Sequence, residues 1–371
     1  MLGRQHGWAT AELAPWRKRG LKRARLDDAV AAAAAQHGGT FRYDVHQDGV
    51  VFHAKSGAFL GPGVDADIVK VVAGRAAAYH RLLIQALPLL RIEAGFSIAL
   101  DVSDTAPHIP DLPLFSFQKP AGSALILVPD VDLLALNFLE GEEWDDPLPF
   151  LDKANKAIFV GASTGGFITR EEITRLGVPR LRAAVAFKGN PHVAFTLSSI
   201  VQYDTPQTKR AVEELGVTGP VLSWDEQLAY RHILSMDGNG ATWSRVAKIL
   251  HSNSVLMKYD SPHQLFYYQG LRPWTHYVPI AHDSEVEPLV LACATNPARY
   301  QRIAHNGQRF FQNHLRREHC LDYLAGLLQA YMDILDDGDG RPALRARTHY
   351  QLWQLRRRTG RAYAALRRRL P

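Results

Sequence analysis

Two stretches of this chain follow one local plan, and that plan restricts the fold more than any other feature. Ala157-Ile-Phe-Val160 is an apolar run that ends in Gly161-Ala-Ser-Thr-Gly-Gly166, with Arg170 just beyond. Tyr230-Arg-His-Ile-Leu-Ser-Met-Asp237 runs into Gly238-Asn-Gly240 and then Ala-Thr-Trp-Ser-Arg245. A short apolar run, a glycine turn and a helical start make the βα half of a parallel-sheet unit. Such units alternate across the second half: Lys156–Val160, Tyr230–Asp237 and Ser254–Lys258 read as strands, with helices at 170–176 and 243–250. The pattern predicts an α/β protein with parallel sheets and two such units facing a cleft.

The first half carries its own elements. A helix is expected at Leu26–Gln36, a short β-region at Thr40–Phe59, and a helix from Asp65 to about Leu90. Phe96–Val102 and Ala124–Val128 are short apolar runs bounded by turn residues, hence buried strands. Glu140–Pro149 is acidic with two prolines and reads as a boundary. Val221–Ser223 reads as a short strand, and Asn296–Arg317 and Cys320–Leu335 as helices. The organisation expected is a basic segment 1–25, units at 26–149 and 150–335, and a basic C-terminal helix at 341–371.

Charge is distributed unevenly. Of 43 basic and 37 acidic residues, residues 1–25 hold seven Lys/Arg and one Glu, and residues 341–371 hold ten Arg and no acid, which leaves 26 basic against 36 acidic in the body. An acidic body argues against a nucleic-acid groove, where basic residues line the working surface. The basic ends suit contact with an anionic membrane surface, or else form a solvated face. Two cysteines, Cys293 and Cys320, are too few for a disulfide framework and lack the short spacings of a zinc site, so both are expected as buried thiols in a reducing compartment. The N-terminal stretch has no apolar run of signal-peptide type, and nothing approaches the roughly 20 apolar residues of a membrane span. A cytoplasmic location is expected.

The glycine turns are the first candidates for chemistry. Free backbone N–H groups at a strand end, with the Ser163 and Thr164 hydroxyls and the forked Arg170 donor, suit an anion. Ser244 and Arg245 repeat the theme after the second turn, and two such turns suit a diphosphate. A plain glycine turn capped by Ser163 and Thr164 is the alternative. The same residues also spell the hydrolase pattern G-x-S-x-G, with Asp237, Asp260, His263, His276 and His282 available as partners for a Ser163 nucleophile. No Walker ending is present. Asp237 reads as a turn-former. Lys258 and Asp260 at a strand end, beside Phe266, Trp274 and Tyr277, suit a nucleoside, although Trp274 is expected in the core. Asp101 and Asp104 close the strand that begins at Phe96. Asp130-Val-Asp132 and Asp337-Gly-Asp339 each spell Asp-x-Asp, a tripeptide common by chance.

Taken together, Phe159-Val-Gly-Ala-Ser-Thr-Gly165 with Arg170, Met236-Asp-Gly-Asn-Gly-Ala-Thr-Trp-Ser-Arg245, Leu250–Pro262 and Phe266–Ile280 resemble glycosyltransferase family 90. That family includes Rumi-type protein O-glucosyltransferases, fungal capsule-associated xylosyltransferases and bacterial surface-polysaccharide enzymes. The resemblance implies a GT-B architecture, with an acceptor-side unit at 26–149 and a donor unit at 150–335. It also implies inverting, metal-independent transfer from a UDP-sugar. Gly161, Ser163, Thr164 and Arg170 fall on the first phosphate loop, Ser244 and Arg245 on the second, and Asp260 on the nucleoside region. Asp104 takes the place of the general base, with Asp101 as competitor. Luminal relatives carry disulfides and a retrieval signal, whereas this chain has two cysteines and ends Arg-Arg-Arg-Leu-Pro. The expected acceptor is therefore a surface polysaccharide, lipopolysaccharide or glycolipid. Transfer to protein Ser/Thr, a Ser163 hydrolase and a non-catalytic glycan- or lipid-binding protein are the rivals.

Overall fold

The computed structural model describes residues 2–57 and 59–336. The C-terminal helix expected at 341–371 and the Asp337-Gly-Asp339 tripeptide lie outside these residues. The first sheet contains β1 (Thr40–Val45), β2 (Val50–Phe52), β3 (Phe96–Asp101), β4 (Leu114–Ser116) and β5 (Ile126–Leu127), in the order β2-β1-β3-β4-β5. The strands β3, β4 and β5 run parallel, while β1 is antiparallel to both β2 and β3. This sheet is therefore mixed and not purely parallel, because the tight His46–Gly49 turn returns the chain as a hairpin.

Helices α1 (Leu2–Glu12), α2 (Arg23–Gln36), α3 (Ala66–Ala86) and the short α4 (Val131–Ala135) surround it. The α3 helix begins where Asp65 accepts from the Asp67 N–H, and it buries Val72, Ala76, Tyr79, Leu82, Leu83 and Ala86. Their three-and-four spacing is one helical face laid on the sheet. The N-terminal segment is folded into the body as well. Glu12 at the end of α1 accepts from buried Lys119 at 2.5 Å and from the Leu127 N–H at 3.2 Å.

The second sheet is wholly parallel. Its strands β6 (Ala154–Ala162), β7 (Val193–Ser199), β8 (Tyr230–Ser235), β9 (Val255–Tyr259) and β10 (Val278–Ile280) lie in the order β10-β9-β8-β6-β7. Its helices include α5 (Arg170–Arg175), α6 (Pro179–Ala186), α7 (Trp243–His251) and α8 (Pro297–His314), and α9 (Arg317–Met332) follows them in the chain. Alternate residues serve opposite faces, as both-sided cover requires. Ala157, Phe159, Leu234, Val255 and Met257 join one core cluster, and Ile158, Val160, Ile233 and Leu256 join the other. The latter cluster continues through Phe310, Phe311 and α9 into the first sheet. The α9 helix returns to the first unit, where Tyr323 donates to the Leu127 carbonyl at 2.8 Å. Two α/β units and a returning helix form the GT-B architecture.

The connection between the units is tied down. Asn137, Phe138 and Leu139 all take positive φ (50°, 59° and 54°), a conformation that costs L-residues roughly 1–2 kcal/mol each. Arg317, the first residue of α9, lies over the Phe138 ring at 4.8 Å and bonds Asn137 and Glu140. One guanidinium thus grips both places where the chain crosses between units.

Some expectations fail for local reasons. Residues 221–223 are no strand, since Ser223 is the N-cap of a short helix, Trp224–Leu228, closed by a capping box with Glu226. The strand β7 and helix α6 escaped the pattern because β7 alternates polar and apolar residues at the sheet edge and α6 has only eight residues. Trp274 is not in the core: it is 42% exposed at φ 59°, with Arg299 over its ring. Cys293 and Cys320 are buried free thiols. Among the described residues no helix is long and apolar enough to cross a membrane.

His232 on β8 is fully buried, and both ring nitrogens lack a partner. Burial, then the nearby Arg231, lowers its pKa from 6.5 to about 3. The unfolded chain therefore binds a proton that the folded chain refuses, so this residue's contribution to stability is lost as pH falls from 6.5 toward 3. The slope is about 1.4 kcal/mol per pH unit. His232→Phe is expected to reduce the stability lost between pH 7 and pH 4.5 by roughly 2–3 kcal/mol, read from urea unfolding at both values. Equal losses in the two proteins would contradict this account.

Candidate functional site

The strand order places the site. From β6 the chain moves outward to β7, whereas β8 leads the other way to β9, so the sheet reverses direction between β6 and β8. Ligands of open α/β sheets bind at such a switch point, beyond the carboxyl ends of the strands. Both glycine turns leave from these two ends, and they touch. A Cβ on Gly165, which has φ +107°, would lie 3.4 Å from the Gly238 carbonyl. The Gly165 N–H donates to Asn239 Oδ1 at 3.2 Å.

What joins the turns is Arg180 on α6, which the sequence reading missed. Its guanidinium donates to the carbonyls of Ala162 (2.9 Å), Met236 (2.8 Å) and Asp237 (3.1 Å) and to the Thr164 hydroxyl (2.8 Å). Arg245 lies beside it and donates to the Val160 carbonyl at 2.5 Å. Both cations sit over the Phe159 ring, at 5.2 and 4.7 Å. Burial lowers each pKa to about 10, with Asp237 opposing the shift at Arg180 and Arg180 adding to it at Arg245. Both remain charged at neutral pH. Their acceptors are mostly neutral carbonyls, so their field reaches the loops above, where an anion is favoured. Only the Arg-Leu-Arg sequence after Pro179 could have hinted at Arg180, and nothing in it distinguishes Arg180 from Arg182, which pairs with Asp283 at the surface.

The expected ligands divide. Ser163 is a correction: it is fully buried, donates to the Val201 carbonyl at 3.0 Å and accepts from the Val201 N–H at 2.9 Å. Its N–H is also used, by the Ser199 carbonyl. Ser163 therefore anchors the loop and has no free group for phosphate. A Ser163 hydrolase fails on the same bonds, and its φ is not the positive one of a strained elbow. Thr164 stands on the loop over Arg180, and Gly161 lies beside Arg245. Arg170 is exposed at the start of α5, capped by Thr169, and its guanidinium meets no partner among the described residues. Ser244 lies in the first turn of α7, a helix that Thr242 does not cap, since the Thr242 hydroxyl bonds Ser235 instead. Arg245 is brought under the first turn rather than above the second.

At the end of β9, Asp260 is exposed, and its N–H bonds the Ile280 carbonyl. Lys258 is buried over the Tyr268 ring at 4.8 Å; burial lowers its pKa, and Asp237 and Asp260 oppose that shift. Asp237 does more than form a turn: its carboxylate accepts from Ser261 and lies 3.2 Å from His263 Nδ1.

The first unit faces this rim with Asp104. Its Oδ1 pairs with Arg75 on α3 at 2.9 Å, and the side chain is 43% exposed. Arg75 in turn lies over Trp243 at 5.1 Å. Asp101 is set apart by burial: it is 1% exposed and accepts from Thr40 at 2.7 Å and from the Ser103 N–H and hydroxyl. Asp130 is buried and caps α4, and burial then Asp132 pushes its carboxyl well above the usual range. Asp132 crosses the cleft, its Oδ2 3.4 Å from the Ser244 N–H. The two aspartates of this tripeptide therefore serve different elements.

A family model described as glycosyl transferase family 90 matches residues 102–342, a span that takes in Asp104 and both glycine turns. The chain belongs to glycosyltransferase family 90. It is 28% identical over 203 residues to Protein O-glucosyltransferase 3 of Rattus norvegicus, covering 54% of this chain and 35% of that protein. It is 31% identical over 184 residues to Uncharacterized protein 035R of Invertebrate iridescent virus 3, covering 47% of this chain and 16% of that protein. These shares put the match at well under half the length of either curated relative. Sucrose-phosphate synthase of Thermosynechococcus elongatus is a similar solved structure, at 10% identity and a TM-score of 0.33, with 51% of this chain and 50% of that one covered.

Arg180→Met strands three carbonyls in the interior and is expected to lower the unfolding free energy by about 3 kcal/mol. Arg180→Lys keeps the charge without the planar fork and should recover less than half of that loss. Guanidinium unfolding curves of the two variants check this; full recovery by lysine would contradict the stapling role.

Proposed function

We propose that the chain is an inverting glycosyltransferase that moves glucose, xylose or a similar sugar from a UDP-sugar to an acceptor hydroxyl without a metal. The observation that carries this reading is the pair of buried guanidiniums beneath two touching glycine turns, with one accessible carboxylate across the cleft. The UDP diphosphate would lie over the turns, held by backbone N–H groups, the Thr164 hydroxyl and the open Arg170 fork, with Arg245 and Arg180 acting from below. The first turn of α7, where Asp132 takes the Ser244 N–H, adds the positive end of a helix beside them. Asp260 and Lys258 at the neighbouring strand end would take the nucleoside.

Transfer then needs one base. The acceptor hydroxyl attacks the anomeric carbon opposite UDP, its proton passes to Asp104, and the electron pair of the broken C–O bond leaves on the β-phosphate. Arg75 holds one oxygen of Asp104 and leaves Oδ2 for that proton. A positioned base contributes about 10²–10⁴-fold, and the fixed cations stabilise the leaving diphosphate.

The acceptor we favour is a surface polysaccharide, lipopolysaccharide or glycolipid, made at the cytoplasmic face of a membrane. The basic ends support peripheral attachment, each Lys or Arg near an anionic surface contributing roughly 1 kcal/mol. A protein Ser/Thr hydroxyl is the second reading, favoured by the similarity to the rat protein O-glucosyltransferase.

A thermal-shift panel of UDP-, GDP- and CDP-sugars should show stabilisation by the UDP series alone. Asp104→Asn should lower transfer at least 10²-fold while UDP binding stays within about threefold; transfer near the parent rate would remove Asp104 as base. Flotation with anionic liposomes should recover the full chain and lose it when residues 341–371 are removed. Equal recovery would sink the membrane role.

A further inference from the structure

Gln118 occupies a place that neither glycine turn explains. Its side chain is buried and lies between the two units. The amide Nε2 donates to the Asp104 carbonyl at 2.5 Å. The Oε1 accepts from the Ala241 N–H at 3.0 Å and from the Trp243 indole N–H at 2.8 Å. One carboxamide therefore binds the loop carrying the Asp104 carboxylate on one side and the entry to α7, just beyond the second glycine turn, on the other. The sequence of the facing turn is fitted to it, because a methyl group at Gly240 would overlap the Gln118 carboxamide. Arg75 reinforces the same line, pairing with Asp104 while lying over Trp243.

We propose that Gln118 is a positioning residue that sets the distance between the Asp104 carboxylate and the donor held by the second unit. It touches neither reacting atom, and it acts by fixing the Asp104 loop to the α7 entry. Reaction rates depend steeply on such spacing, since a misplacement of about 1 Å costs on the order of 10²-fold. Its loss should therefore appear in turnover and not in UDP affinity, whose ligands all lie in the second unit. The inference rests on Asp104 being the base.

Two variants test it in the full chain. Gln118→Met keeps the volume and removes all three bonds, and Gln118→Glu keeps the acceptor for Ala241 and Trp243 but loses the donor to the Asp104 loop. Both should lower kcat for UDP release from UDP-glucose by at least about tenfold, with UDP affinity by calorimetry within about threefold of the parent. Unchanged kcat, or UDP affinity falling in step with kcat, overturns the proposal. Should the methionine variant fail to fold, the glutamate variant decides by the same criterion. Asp104→Asn measured alongside separates the two ideas. Retained transfer there removes the base assignment. An inert Asp104→Asn beside fully active Gln118 variants removes the brace alone.

Discussion

The Arg180 guanidinium donates to the carbonyls of Ala162, Met236 and Asp237 and to the Thr164 hydroxyl, binding the turns after β6 and β8 into one surface. Each turn alone is a few glycines with little to hold its shape. Stapled together, they present their remaining N–H groups in a fixed arrangement over two positive charges. Burying a cation is unfavourable unless hydrogen bonds replace its water. Here the main chain supplies those bonds, while Phe159 gives both cations an aromatic face. The cost of burial is thus largely offset before any ligand arrives, and the charge stays available to one.

The same economy of contacts governs the relation between the units. They share a hydrophobic cluster that runs from the first sheet through α9 to one face of the second. The crossing segment holds three successive residues at positive φ, and Arg317 clamps them from the start of α9. Across the cleft mouth the contacts include directional ones: Gln118 with Ala241 and Trp243, Asp132 with Ser244, and the pairing of Lys119–Pro120 with His263–Gln264, beside Arg75 and Phe117 on the Trp243 ring. An apolar weld at the back and these directional bonds at the mouth together set the spacing of the two units there. Directional bonds fix distance and angle better than apolar contact, and distance is what proton transfer depends on.

Much of the fold was legible because apolar runs with glycine turns carry their own punctuation. The strands at 154–162, 230–235 and 255–259 and helices α3 and α7 fall where the pattern puts them. The edge strand β7 and the short α6 were not legible, since alternation and brevity both weaken the signal. The site divides along a different line. Residues identified by local setting, such as Arg170 at a helix start or Asp104 at a strand end, are found open at the rim. Ser163 was misread because a hydroxyl in a loop gives no sign of whether main chain or ligand will use it, and here Val201 does. Arg180 and Gln118 were invisible for the opposite reason: each joins a nearby segment to one that is 56 or 123 residues away in the chain.

The balance of charge at the rim explains why a cradle with several cations need not hold every anion equally. Arg180, Arg245 and Lys258 are buried beneath it and Arg170 is exposed beside it, but Asp237 and Asp260 lie close to Lys258, and Asp132 reaches from the first unit to the start of α7. A helix N-terminus favours negative charge, and the Asp132 carboxylate already supplies some. An anion that uses only the α7 end must compete with Asp132. One spread over both turns also gains the field of Arg180 and Arg245 and the open Arg170 fork. On the proposed reading, the shared field of the two stapled guanidiniums beneath both turns then favours a long, doubly anchored anion over a single phosphate.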